Sequence, residues 1–554
     1  MHGEPDAKLS ALALPGVAEL SLKHLSSELP TSLLTDLSTG GTTSISTSDE
    51  LNQLNQLITQ LETRRALLLQ HSNTQHSAIF KLPSEILAEV FQYADAIDPP
   101  SECIFSSSTR SSSRRRHPFT PIRLGAVCTH WRHVAWNSPQ LWTNLPLSGC
   151  WVWEAKFPLA QILNTYYHNM KVMTLDLFID CFRGRFVPDG DEDHITQEDA
   201  FNAIFVEHAD KLRVLGMRMW PEAWLPHIEK VQETTSFSHL EEVWIKSPGA
   251  GFEEKLSFTN APRLRKIELV GATGSAVVVL PWTQITHLTL CDVPSDLCLK
   301  LLTQCTNLEY FSCDDLTPSS SGSSGVRDRI NFPHLKTFHY LDRELSSEWR
   351  EAMGRYLQFP ALESVVWHPD WSAGVERQML RQHPESIQTL EFRFRRRDQS
   401  RLKPMFIALN SLEELKVSCW PSIKLSVLDL LTPQKRRPLL PSLRKLHFTA
   451  RSNEMSLKVV SSLLAMINSR RTLTHAKLDH LVLSYYVRSF KLEPWPPVLI
   501  EGFKALVRDG MKIVIEADDE ELSYDWLHAE DIVECDSSST SASDILDVEP
   551  RVEL

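Results

Sequence analysis

No run of apolar residues in this chain approaches the ~18 needed to cross a bilayer, and Met1–Ser10 has no basic start followed by an apolar core. A membrane span and a secretory signal are therefore not expected. The 10 cysteines are scattered, which suits free thiols in a reducing compartment, cytoplasmic or nuclear. Also missing are G-x-x-x-x-G-K-[ST], G-x-G-x-x-G, G-x-S-x-G and H-E-x-x-H. Without a phosphate cradle, a dinucleotide turn, a nucleophile elbow or a zinc pair, the sequence gives no support to an enzyme, a cofactor or a catalytic metal.

A charge surplus is missing from most of the chain as well. The net charge is -13 over 554 residues, with 70 acidic and 57 basic side chains. Glu516 to Leu554 holds 14 acids and one base, Arg551, a difference of 13. Residues 1–515 are left with 56 of each sign. A neutral body gives no reason to expect nucleic acid as a ligand. The tail, 516–554, reads as an acidic, mostly disordered end that aids solubility, or as a binding or autoinhibitory segment.

Possible sites fail on spacing. Asp189, Asp191 and Asp193 have the 1-3-5 spacing of a calcium loop, but His194 and Ala200 stand where Gly and Glu are required. Cys291, Cys298, Cys305 and Cys313 lack the close C-x2-C pair of a zinc knuckle and read as buried thiols. Cys128, His130 and His133 share one helical stretch, where Cys128 and Trp131 read as packing residues. The run Arg393-Phe394-Arg395-Arg396-Arg397 reads either as a site for phosphate or an acidic peptide or as a solvated strand end, or as a partner for the tail.

What the chain does have is periodicity. Residues 1–48 carry none and are expected to be disordered. In 49–76, Leu54, Ile58, Leu61 and Leu68 recur at helical spacing, with Leu51 leading and Arg65 interrupting. This amphipathic helix either packs on the neighbouring module or forms a short coiled-coil seam. Residues 78–147 hold two further apolar helical stretches. The first is Leu82-Pro83-Ser84-Glu85-Ile86-Leu87-Ala88-Glu89-Val90-Phe91. The second runs Leu124-Gly125-Ala126-Val127-Cys128-Thr129-His130-Trp131-Arg132-His133-Val134-Ala135 and exits through Ser138-Pro139-Gln140-Leu141-Trp142. Between them, at about 98–121, lies a Pro-, Ser- and Arg-rich insert that cannot build a core; it reads as a loop, or as a nuclear-targeting or phosphorylation segment.

Over 150–515, apolar residues recur at i, i+3 and i+5. Twelve such triplets run from Val172-Leu175-Leu177 and Leu212-Leu215-Met217 to Leu443-Leu446-Phe448 and Leu478-Leu481-Leu483. Their offsets are 40, 28, 24, 21, 23, 27, 27, 25, 25, 31 and 35 residues, mostly inside the ~20–29 window of leucine-rich repeats. Several follow the same opening: Phe332-Pro333-His334-Leu335, Phe359-Pro360-Ala361-Leu362 and Leu440-Pro441-Ser442-Leu443. A unit of one strand and one helix or turn cannot bury its apolar face alone, whereas stacked units can. The expected fold class is α/β: a helical module followed by an irregular solenoid, with a curved parallel sheet inside and helices outside. A compact α/β domain with scattered strands is the alternative.

The Leu-Pro start, the Val-Cys-x-x-Trp-Arg centre and the Ser-Pro-x-Leu-Trp exit together resemble the F-box family, and the repeats resemble the leucine-rich region that often follows an F-box, as in large fungal F-box families. The resemblance implies a substrate-recognition adaptor: the F-box-like domain docks on the Skp adaptor of a cullin-based ubiquitin ligase, and the repeats hold a protein substrate. It places Leu82, Pro83, Ile86, Leu87, Val90, Phe91, Val127, Cys128, Trp131 and Arg132 at the docking face, with Trp142 sealing the junction to the first repeat. The insert departs from the family's short link. If the helices only cap the repeats, the chain is a non-ligase scaffold. Alternation along the strands puts Trp244, Lys246, Tyr310, His339, Glu391 and Arg393 on the face away from the apolar triplets, as candidates for substrate contact.

Overall fold

The computed structural model describes residues 47–76, 78–96, 120–148, 159–180, 198–218, 224, 227, 235–246, 256–271, 278–317, 329–341, 349, 352–353, 355–367, 385–394, 399–419, 425–433, 438–451, 457–473, 477–486 and 495–517. The first 46 residues, most of the Ser/Arg insert, the acidic loop at 188–193, the Arg395–Arg397 run and the tail beyond Ala517 lie outside that set. The chain forms two compact units, Met1–Pro83 and Ser84–Leu554.

In the first unit, helix α1 spans Thr47–His76, and a short 3-10 turn follows at Ala78–Lys81. Leu51, Leu54, Ile58, Leu61 and Leu68 are all exposed.

The second unit begins with α2 (Ser84–Ala96), α3 (Thr120–Val127) and α4 (Thr129–Trp136). The stretch 124–135 is two helices, not the single one that its apolar spacing suggests. Cys128 breaks it, extended at φ -162 and ψ 171, and its Sγ accepts a hydrogen bond from Trp131 N at 3.3 Å. It acts as a sulfur analogue of an N-cap oxygen. The insert is also shorter than its composition suggests, because Thr120 and Pro121 already belong to α3; proline suits a first helical turn, where its missing N–H costs nothing.

After a 3-10 turn at Pro139–Trp142, one parallel sheet of 14 strands takes over, each strand beside its predecessor in sequence. Its strands are β1 (Asn144–Ser148), β2 (Leu175–Asp180), β3 (Leu212–Met217), β4 (Glu242–Lys246), β5 (Lys266–Val270), β6 (His287–Cys291) and β7 (Tyr310–Asp314). They continue with β8 (Thr337–Leu341), β9 (Ser364–Trp367), β10 (Thr389–Phe394), β11 (Glu414–Cys419), β12 (Lys445–Arg451), β13 (His480–Tyr486) and β14 (Lys512–Ala517). The connections include α5 (Leu159–Asn169), α6 (Ser295–Gln304), α7 (Gln399–Ala408), α8 (Leu425–Leu431), α9 (Leu457–Arg471) and α10 (Pro497–Arg508). Mixed α/β with a long solenoid-like parallel sheet is the class that the triplets imply.

Each of the twelve triplets contributes one strand, β2 through β13. The i+3 residues stand in one row and the i+5 residues in another: Val243, Ile267, Leu288 and Phe311 are successive partners, as are Ile245, Leu269, Leu290 and Cys313. All eight are buried, and this shared apolar face is what stacking neighbours closes off from water. The i residue's N–H closes a turn onto the carbonyl three residues back, as in Leu264→Ala261 (3.1 Å), Leu362→Phe359 (3.2 Å) and Leu443→Leu440 (3.2 Å). One residue past β5, β6 and β7, the chain takes a left-handed conformation at Gly271 (φ 68), Asp292 (φ 54) and Asp315 (φ 47); Gly and Asp are among the residues that tolerate it.

The triplets mislead in three places. In the ladder Leu177 stands beside Leu145 and Leu215, and Ile179 beside Leu147 and Met217. The ladder slips by one residue between Leu175 and Asp176, so Leu175, not Val172, fills the first position. Val172 is 99% exposed. The sheet also starts earlier than 150, at Asn144, where Trp142-Leu145-Leu147 supplies an additional triplet. It ends at Ala517, inside the stretch that composition assigns to the acidic tail.

Candidate partner-binding surfaces

Strand alternation leaves one sheet face with its apolar row buried and the other lined mainly by half-buried and exposed side chains, with Val214, Val270 and Ser312 buried among them. The six substrate-facing candidates all stand on that second face. Trp244, His339 and Glu391 share a row with Glu268, Thr289 and Lys416. Tyr310 stands beside His287 in a second row. Lys246 belongs to a third row, and Arg393 pairs with Ser418 in the corresponding position.

Trp244 is fixed by a hydrogen bond from its Nε1 to Glu242 Oε1 at 2.9 Å and lies 5.4 Å from the Phe178 ring. The two aromatics sit on β4 and β2, with Gly216 of β3 between them in the row. A Cβ at Gly216 would come within 2.6 Å of Phe178 Cδ1, so the absent side chain is what lets Phe178 lie across β3. Tyr310 stacks on His287, with centroids 5.7 Å apart and planes at 17°.

Charge on this face is paired across strands. Asp176 binds Arg213, Asp180 meets Arg218 at 3.5 Å, and Glu242 meets Lys266 at 4.0 Å. Burial nevertheless raises Asp176 to about 6, outweighing Arg213. Burial, aided by Glu242, raises Glu268 to about 7. Desolvation by burial, aided by neighbouring acids, lifts the Cys291 thiol to about 12. Cys291 is half-buried on this face, a departure from the expected buried thiol, whereas Cys298, Cys305 and Cys313 are buried as expected. Among the described residues no cluster of His, Cys, Asp or Glu is arranged to hold a metal, and no helix is long and apolar enough to cross a membrane.

The helical module divides the ten docking candidates. Leu87 and Phe91 are buried, and the Phe91 ring lies 4.8 Å from Trp131. These two form the module's core, whereas the motif places them at the docking face. Trp131 and Cys128 are half-buried. Arg132 is exposed and its Nε donates to the Gly125 carbonyl at 2.9 Å, clamping α4 to α3. Ile86 and Val90, one turn apart on α2, are 44% and 43% exposed, and Val127 is 60% exposed. Tyr93, which the motif does not flag, continues the α2 stripe at 75% exposure. In the first unit, Leu82 is half-buried, with its N–H on the Ile79 carbonyl at 3.3 Å, and Pro83 is exposed.

Residues 79–148 match the F-box-like family model. No curated protein matches the chain. The F-box-like segment therefore includes β1, so its last residues are also the first strand of the sheet. Trp142 joins the two parts: it is fully buried, packed edge-on against Trp136 at 5.1 Å and against Tyr166 of α5 at 5.0 Å.

Sequence reasoning missed Phe178, Asp176 and Asp180 as open-face residues. Alternation from Leu175 and Leu177 already places Asp176 and Phe178 on that face.

Proposed function

We propose that this protein is the substrate-recognition adaptor of a Skp–cullin–F-box ubiquitin ligase. The F-box-like segment docks on the Skp adaptor, and the open sheet face, read as an irregular leucine-rich-repeat array like that of fungal F-box families, holds the target protein. The observation that carries the reading is the F-box-like match at 79–148 continuing directly into the sheet through β1, which couples a docking module to a target-binding surface. The chain itself catalyses nothing on this reading; ubiquitin transfer belongs to its partners, in the cytoplasm or nucleus. No cofactor, nucleic acid or membrane is involved.

Docking falls to the exposed apolar side chains Ile86, Val90 and Val127. On the target side, the Phe178–Trp244 pair supplies rigid aromatic area of the kind that dominates protein interfaces. The test is co-purification of the full chain with the Skp adaptor and a cullin. Wild type should retain both, and Ile86→Asp/Val90→Asp should lose both while melting at the same temperature. A folded wild type that retains neither would sink the ligase reading. In that event the second reading stands, a non-ligase scaffold whose helices cap the sheet; the burial of Trp142 between Trp136 and Tyr166 favours it.

A further inference from the structure

One carboxyl on the open face of β2 to β5 lacks a counterpart. Asp176 binds Arg213, Asp180 meets Arg218 and Glu242 meets Lys266. Glu268 is half-buried and, among the described residues, makes no hydrogen bond or ion pair. Its neighbours in the row are Trp244 on β4 and Thr289 on β6. Lys266, two residues earlier on β5, is drawn to Glu242. Lys246, two residues beyond Trp244, forms no ion pair among the described residues. A half-buried carboxylate without a counter-charge is costly, and burial with Glu242 nearby holds the proton on Glu268 up to about pH 7. Glu268 is therefore the charge left for a ligand to complete.

An aromatic platform stands beside it. Phe178 and Trp244 are both half-buried, their rings 5.4 Å apart and inclined at 47°. The bond from Trp244 Nε1 to Glu242 Oε1 fixes the indole. An aromatic face attracts a cation through its quadrupole. A carboxylate next to that face adds direct charge pairing. A planar guanidinium satisfies both, because it stacks on a ring and pairs with a carboxylate through two parallel N–H bonds. A lysine ammonium is a strongly hydrated point charge and does neither as well.

We propose that Trp244 and Glu268 form the seat of an arginine side chain of the bound protein, its guanidinium stacked on the indole and paired with the Glu268 carboxylate. The assignment rests on the reading of the open face as the target surface and adds the chemistry recognised there, an exposed arginine.

The probe is N-acetyl-arginine methylamide, compared with its lysine and norleucine analogues. The acidic tail attracts any cation, so the readout is confined to the site. Fluorine NMR is recorded on the full chain carrying 5-fluorotryptophan. The chain has 15 tryptophans, and the Trp244 signal is the one lost in Trp244→Phe. Titrations run at pH 8, above the value of about 7 for Glu268. They extend to about 100 mM, the range suited to a single side chain. The arginine compound should move the Trp244 signal to saturation. The lysine compound should bind several-fold more weakly, and the norleucine compound should leave the signal in place. Glu268→Gln should weaken arginine binding about tenfold or more, the loss of one charge-assisted pair, while melting no lower than wild type.

No saturable shift with arginine, or an unchanged affinity in a folded Glu268→Gln chain, would overturn the proposal. An equal shift with norleucine would reduce the site to an apolar platform and overturn it too. Equal affinity for lysine would overturn the guanidinium seat. The assay contains no Skp adaptor. A failed titration therefore leaves the docking reading standing, and a chain that does not retain the adaptor still reports on the arginine seat.

Discussion

The indole Nε1 of Trp142 donates a hydrogen bond to the Ala135 carbonyl oxygen at 2.8 Å. The bond gives a carbonyl in the last turn of α4, which also accepts from Ser138 N at 3.4 Å, a further donor from the end of the 3-10 turn that precedes the first strand. It ties the last helix of the F-box-like segment to the sheet through one buried side chain. Trp142→Phe should cost about 0.5–1.5 kcal/mol, the net contribution of one hydrogen bond. Trp142→Ala should cost about 3–5 kcal/mol through the cavity it leaves. Urea unfolding followed by tryptophan fluorescence separates the two. Equal costs would mean that the hydrogen bond contributes nothing.

Two apolar positions on α2, Leu87 and Val90, should behave in opposite ways. Leu87 is fully buried, so Leu87→Ala should destabilise by about 2–5 kcal/mol. Val90 is 43% exposed, so Val90→Asp should stay within about 0.5 kcal/mol of wild type, and the proposed docking requires that it lose capture by the Skp adaptor. Thermal melts alongside a pull-down check both. A Val90→Asp protein that unfolds would show that this side chain belongs to the core.

Gly125 is buried, and a Cβ there would overlap the Trp136 ring. Trp136 cannot retreat freely, because it packs edge-on against Trp142 at 5.1 Å. Gly125→Ala should therefore cost about 1–3 kcal/mol by overpacking, more than the small gain that alanine brings inside a helix. A melting temperature at or above that of wild type would refute the clash.

Glu268 provides a pH signature. Its folded-state value, about 7, lies above the ordinary 4.5 because of burial and the nearby Glu242. The folded chain therefore holds this proton more tightly than the unfolded chain does. Stability from the site is complete below about 4.5 and is lost as pH rises through about 7. Glu268→Gln should raise stability at pH 8 by about 1–2 kcal/mol after allowance for solvent screening, with no difference at pH 4. Melting temperatures of both proteins between those limits test this; a pH-independent difference would rule out titration at Glu268.

Much of this architecture is legible from residue spacing because spacing fixes geometry directly. A strand alternates faces every residue, so i, i+3 and i+5 place Val243 and Ile245 inside and Trp244 outside without further information. Helical spacing likewise finds the α2 stripe. Spacing does not reveal which stripe of a short amphipathic helix is inner: Leu87 and Phe91 differ from Ile86 and Val90 only by which side meets Trp131. It does not reveal the slip at Leu175/Asp176 either, because Val172 and Leu175 are equally apolar and only pairing with β1 and β3 distinguishes them.

The sequence by itself determined the α/β class, the parallel order of the strands, the neutral body with its acidic tail, and the motif at 79–148. Each depends on local periodicity or on composition. Only the tertiary structure decided that the last residues of the 79–148 segment are the first strand of the sheet, that Gly216 lets Phe178 reach Trp244, and that Leu87 and Phe91 are the inner stripe of α2. These are relations between residues distant in sequence, or between an element and water, and they follow from packing, which one-dimensional spacing does not encode.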